Sequence, residues 1–217
     1  EPKIKGLSVA WGGDLGVTHV DDEVLKICHG AMSVFRKLGA RVEEEHPDFA
    51  GLHEIVLVSR GLSMVARHAE KLSKWREVMQ ENLVKNIDYG LTLTANDIGR
   101  AERLRTELWH HVREFFWHHD LLVTPTAAVP PFPVEVVYPK EINGKPMTHY
   151  IEWVLLTYAV TVVGLPAISV PCGFTREGLP VGLQIVGRWR DDAGVLRAAA
   201  AFEAAAPWAH LRPPEPA

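Results

Sequence analysis

The segment Asp120-Leu-Leu-Val-Thr124 runs apolar with almost no polar alternation. A strand written this way has no face to give to water, so it suits the interior of a sheet covered on both sides. Two longer apolar runs follow, Pro166–Phe174 and Pro180–Val186, joined by Thr175-Arg-Glu-Gly178. Gly178 can supply the positive φ that a hairpin loop of this length wants, so the two runs are expected to pair. A sheet buried on both faces needs helices to cover it.

The chain supplies those helices. Asp21 is expected to cap one whose apolar positions are Val24, Leu25, Ile27, Cys28, Ala31, Val34, Phe35 and Leu38, with Gly39 just past its end. Lys5–Trp11 before it and Arg41–His46 after it read as strands, the second near a sheet edge because of its charge. Strand, helix and strand together predict a parallel pair with a right-handed crossover. Residues 51–72 and 75–89 carry helical apolar stripes. Thr94 and Asp97 form a capping box, with Asp in place of the usual Glu, for a helix expected to reach about His118. Asn143-Gly144 marks a turn, residues 149–159 a short helix, and Asp191 or Asp192 caps a last, Ala-rich helix ending near Pro207. No repeat or Ser/Gly linker interrupts the text, so residues 1–217 are expected to belong to one α/β domain, a mixed β-sheet flanked by helices.

Composition narrows the classes. Hydrophobic residues are 47% and charged residues 23% of the 217, the mix of an ordinary globular chain rather than a disordered one. Lys and Arg number 23 against 27 Asp and Glu, a net charge of −4, so no electrostatic footprint for nucleic acid is present. No run reaches the roughly 18 apolar residues that a membrane span needs. The opening Glu1-Pro-Lys-Ile-Lys5 lacks the apolar core of a secretory signal, and a cytoplasmic location is expected. Cys28 and Cys172 lie far apart in sequence, so no disulfide framework is implied and two buried, reduced thiols are expected.

Candidate chemistry is sparse. His110, His111, His118 and His119 are expected on one helix, but no H-x-x-x-H spacing occurs, so they read as a solvated face and no metal is expected. Gly12-Gly13-x-x-Gly16 is separated from the next helix by Val17, Thr18 and His19, so it reads as a turn, and no cofactor is expected. None of the serines (8, 33, 59, 63, 73 and 169) sits in a G-x-S-x-G elbow. Ser169 is expected to bond a neighbouring backbone group. No spacing supports a nucleophilic Cys172–His149 pair, and Glu43-Glu44-Glu45 reads as a solvated edge.

A resemblance covers nearly the whole chain. Val163-Gly-Leu-Pro-Ala-Ile-Ser-Val-Pro-Cys-Gly-Phe-Thr175 and Gly178-Leu-Pro-Val-Gly-Leu-Gln-Ile-Val-Gly187 closely resemble the C-terminal half of the amidase signature family. Asp120-Leu-Leu-Val-Thr-Pro-Thr126, Pro130-Pro-Phe132 and Asn143-Gly144 resemble its strand end and the loops that follow. Asp192, Leu196, Ala200, Phe202, Glu203 and Pro207-Trp208 resemble its last helix. Gly6-Leu-Ser-Val-Ala10 and Phe35-Arg-Lys-Leu-Gly-Ala-x-Val42 are similar to an earlier βα unit. The resemblance implies hydrolysis of a carboxylic amide through a serine acyl-enzyme. Its nucleophilic serine, second serine and lysine belong to a G-G-S-S-G-G-S type segment in the family's N-terminal half. No such segment occurs here, so no catalytic residue is carried over. The chain is expected to be the C-terminal part of an amidase, inactive alone, whose partners are the N-terminal half of the same polypeptide and a small amide substrate, with self-association of the isolated chain. The alternative is an autonomous, non-catalytic binding or structural module built on the same fold. Thr161 stands where a common family pattern carries Asn, and Val154 where members acting on glutamine usually carry Asp. Phe132, Tyr150, Trp153 and Thr161 are the substrate-channel candidates, pointing to an apolar or aromatic acyl group; the aromatics fit an ordinary core equally well.

Overall fold

A computed structural model of the chain describes residues 4–208 and 210. What the sequence suggests about Glu1, Pro2 and Lys3 lies outside them. Two compact units are present, residues 1–48 with 111–217, and residues 49–110.

The first unit is built on a sheet of five strands among the described residues. They are β1 (Ser8–Trp11), β2 (Arg41–Glu44), β3 (Leu121–Pro125), β6 (Ala167–Phe174) and β7 (Pro180–Gly187), in the order β2-β1-β3-β7-β6. β1 pairs in parallel with β2 and β3, while β7 runs antiparallel to both β3 and β6, which makes the sheet mixed. β3 is central and every residue in it is buried, as its unbroken apolar text requires. β2 takes an edge and leaves Arg41, Glu43 and Glu44 in water. The other edge, β6, is eight residues long and carries Pro171, which a strand interior tolerates at a sheet edge or a bulge, beside a register shift between Pro171 and Gly173.

Helix α1 (Asp22–Lys37) joins β1 to β2. Asp21 caps it by accepting from the Glu23 and Val24 N–H groups at 2.9 and 3.1 Å. Its buried stripe of Val24, Cys28, Ala31, Met32 and Phe35 packs on the sheet beside α6 (Asp192–Ala205), and the Phe35 and Phe202 rings meet at 5.3 Å. Asp191 caps α6 through the Gly194 N–H at 2.9 Å. Between β3 and β6 lie a small hairpin, β4 (Glu141–Ile142) and β5 (Lys145–Pro146), and the short helix α5 (Leu155–Thr161). The sequence marks only a turn at Asn143-Gly144. Both residues have positive φ, 51° and 72°, which is what a two-residue hairpin loop demands. The short helix begins later than the expected residue 149 because a 3-10 turn, Glu152–Val154, precedes it. Gly13, Leu15 and Gly16 all have positive φ, and the Leu15 N–H closes on the Gly12 carbonyl at 2.9 Å, so the glycine segment is a turn.

The second unit contains α2 (Leu52–Trp75), α3 (Glu81–Thr92) and most of α4 (Ala95–Phe115). The Thr94 N–H donates to the Asp97 carboxylate at 2.9 Å and Asp97 N–H to the Thr94 hydroxyl at 3.3 Å, which closes the expected capping box. α2 and α3 cross at Gly61 and Gly90. The expectation for α4 needs correction at its C-terminal end. It stops at Phe115, so His118 and His119 are off the helix, and His119 is buried rather than part of a solvated face. No helix of the described residues is long and apolar enough to cross a membrane.

Candidate functional site

A cavity of about 480 Å³ opens in the first unit where β3 ends. Its walls come from four places: Val24 of α1, the loop from Thr126 to Phe132 with Trp153, Ser169 and Pro171 of β6, and Pro180–Gly182 opening β7. The loop is held by its backbone. Ala128 N–H donates to the Trp153 carbonyl at 2.9 Å, and its own carbonyl accepts from the Asp21 N–H at 2.7 Å. Thr126 N–H continues the sheet by donating to the Gly182 carbonyl at 2.9 Å. Pro130 and Pro131, with fixed φ and no N–H, then keep the chain extended along the rim. The effect is to bring Phe132 against Trp153, edge to face, with ring centroids 5.3 Å apart and planes at 85°.

The polar content is one pair of hydroxyls. Thr126 Oγ1 and Ser169 Oγ are 2.6 Å apart, 43 residues apart in sequence. Ser169 therefore bonds a side chain across two strands, not the neighbouring backbone group its mid-strand position suggests. Gly182 makes this possible, because a Cβ there would lie 2.8 Å from the serine oxygen and 3.0 Å from the threonine oxygen. Among the described residues no His, Lys, Asp or Glu lines the cavity. A serine hydroxyl without a base to take its proton is a poor nucleophile. The walls can hold an apolar or aromatic group, and the hydroxyls can meet an amide; they cannot activate an attack.

Of the four candidates, Phe132 and Trp153 stand together on the wall. Tyr150 instead lies against Tyr138 and His149, at 5.7 and 4.9 Å between rings. Thr161 is exposed at the end of α5 and donates to the Thr157 carbonyl at 2.8 Å. Sequence reasoning missed Val24, Thr126 and Gly182. Thr126 and Gly182 lie in segments that carry the resemblance, but their place on the wall follows only from the pairing of β3, β6 and β7, and that of Val24 from the packing of α1.

The two cysteines are free thiols, as expected, with Cys28 buried and Cys172 half-buried, and the fold brings them together. Cys28 Sγ and Cys172 Sγ are 3.7 Å apart, and Cys172 Sγ lies 3.4 Å from the Val181 carbonyl oxygen. Hydrogen bonding to Cys172 and then burial push the Cys28 thiol up, away from the reactive thiolate. Native Cys28 is therefore expected to resist iodoacetamide at pH 8 and to react only after unfolding. Peptide mass spectrometry checks this, and rapid native alkylation of Cys28 would contradict it.

The protein-family model described as Amidase matches residues 1–196. An acylamidase from Rhodococcus erythropolis is 38% identical over 214 residues, covering 97% of this chain and 44% of that protein. A glutamyl-tRNA(Gln) amidotransferase subunit from Geobacillus thermodenitrificans is 30% identical over 235 residues, covering 97% of this chain and 47% of that protein. Among solved structures, a bacterial aryl acylamidase of the amidase signature enzymes superposes with a TM-score of 0.86 at 28% identity, over 96% of this chain and 45% of that one. The chain thus spans about half the length of the relatives it matches.

Proposed function

The chain belongs to the Amidase family, and from that premise we propose that it is the C-terminal part of an amidase that hydrolyses a carboxylic amide to acid and amine through a serine acyl-enzyme. In this reading the chain supplies the acyl- or aryl-binding wall, and the N-terminal half of the same polypeptide supplies the serines and lysine. The observation that carries it is the cavity itself: an aromatic wall and a hydroxyl pair with no base, beside the edge strand β6. A sheet continued beyond β6 would bring new residues to that rim. The share of each relative's length that the chain spans supports the same division. Apolar walls with an edge-to-face aromatic pair favour an aromatic or apolar amide, and the aryl acylamidase likeness supports that choice.

The test is hydrolysis of an anilide by the 217-residue chain alone and by the same chain fused behind the N-terminal half of the Rhodococcus erythropolis acylamidase. No aniline release above buffer is expected from the chain alone, and turnover is expected from the fusion. Phe132→Ala or Trp153→Ala in the fusion should raise KM roughly tenfold, about 1.4 kcal/mol of lost apolar contact, with kcat changed less. Turnover by the isolated chain would overturn the proposal.

A further inference from the structure

His119 is 2% exposed, and neither of its ring nitrogens makes a hydrogen bond. The ring stacks on Phe115 with centroids 4.4 Å apart and planes within 16°, which fixes its orientation. Its Nε2 faces two carboxylates, 3.5 Å from Glu43 Oε2 and 3.6 Å from Glu45 Oε2. Glu43 on β2 and Glu45 just past its end, where the Glu45 N–H still donates to the Trp11 carbonyl at 3.2 Å, are two residues apart and so share a face. Glu44 points the other way and meets His29 at 3.2 Å. Nearby Arg188 is already engaged by Asp120 Oδ1 at 2.6 Å and by the His119 carbonyl at 3.3 Å.

The spacing is informative. Hydrogen bonds between such groups close to about 2.7–3.2 Å, so these contacts fall outside the range. Ligand atoms around a tetrahedral ion with bonds of about 2.0–2.1 Å sit about 3.3 Å from one another, close to what is observed. All three ligand atoms lie within 4.8 Å of one another. A neutral imidazole with two carboxylates carries two negative charges, which one divalent ion balances. The imidazole favours a transition metal over calcium or magnesium, which prefer oxygen alone.

We propose that Glu43, Glu45 and His119 form a binding site for one divalent transition-metal ion of the zinc class. The ion ties the edge strand β2 to the start of β3 across the intervening β1. None of the three residues lines the cavity, so the site is structural and independent of the amide chemistry.

Calorimetric titration of the chelator-washed 217-residue chain with Zn2+ and Co2+ tests it. One ion per chain is expected, with a melting temperature that rises with zinc concentration. Bound Co2+ should show visible bands without sulfur charge-transfer absorption, which separates this site from the cysteine pair. Glu43→Gln with Glu45→Gln, both at exposed positions that leave the fold intact, should weaken binding about tenfold or more and abolish the melting shift. His111→Ala with His118→Ala should bind as the wild type does. No saturable binding by a chain whose near-UV circular dichroism shows it folded would overturn the site. So would binding that survives the glutamine pair, or binding lost with His111 and His118.

Discussion

Gly90→Ala is expected to destabilise the chain by about 2–3 kcal/mol, against the usual sign of that substitution. Glycine in a helix interior costs roughly 0.5–1 kcal/mol relative to alanine, so on propensity alone the change would help. Packing decides otherwise. A Cβ at Gly90 would lie 2.7 Å from the Gly61 carbonyl carbon and from Val65 Cγ2, and closer still to the Gly61 oxygen. The obstacle is the backbone of α2, which moves only if the whole helix moves. Gly61→Ala meets milder neighbours, Gly90 Cα and Tyr89 Cδ1 at 3.1 Å, and should cost less. Urea unfolding followed by far-UV circular dichroism ranks the two, and a Gly90→Ala protein as stable as the wild type would contradict this account of the crossing.

The isolated chain is also expected to self-associate as concentration rises, through β6. The two sheet edges differ in how they meet water. β2 is short and presents Arg41, Glu43 and Glu44. β6 is twice as long and apolar, with Phe174 46% exposed and no charge along its length. An unprotected apolar edge offers unpaired backbone groups to any other strand. Ala167→Lys with Phe174→Lys places charge at two exposed positions of that edge and should leave a monomer. Sedimentation velocity across a hundredfold concentration range, on the order used to expose weak association, reads the difference. A wild-type chain that stays monomeric throughout would contradict the open-edge reading. If the proposed division holds, the N-terminal half would cover this edge, which connects the prediction to that proposal.

Much of the fold is legible in the sequence because its signals are local. Asp21 caps a helix as expected, Asp191 proves to be the cap where the sequence left Asp191 or Asp192, and the alternation-free text of residues 121–124 finds the sheet centre. Boundaries fail where tertiary contacts override propensity. His119 continues the periodic text of α4, yet the helix ends four residues earlier and the ring packs on Phe115 instead. The division into two units leaves no mark in composition because its second boundary, between residues 110 and 111, runs inside α4. The candidate site is half legible. The resemblance points to Phe132, Tyr150, Trp153 and Thr161, of which Phe132 and Trp153 line the cavity. The Thr126–Ser169 bond, the space at Gly182 and the Cys28–Cys172 contact all depend on which strands pair, and no spacing in one chain encodes that.

The central claim is that this chain holds a substrate wall and no nucleophile. Labelling with a fluorophosphonate probe, followed by peptide mapping, tests it most directly, because the probe reports activated serines whatever the true substrate is. The account predicts that none of Ser8, Ser33, Ser59, Ser63, Ser73 and Ser169 is modified in the folded 217-residue chain. Stoichiometric labelling of Ser169, the serine on the cavity wall, would contradict it.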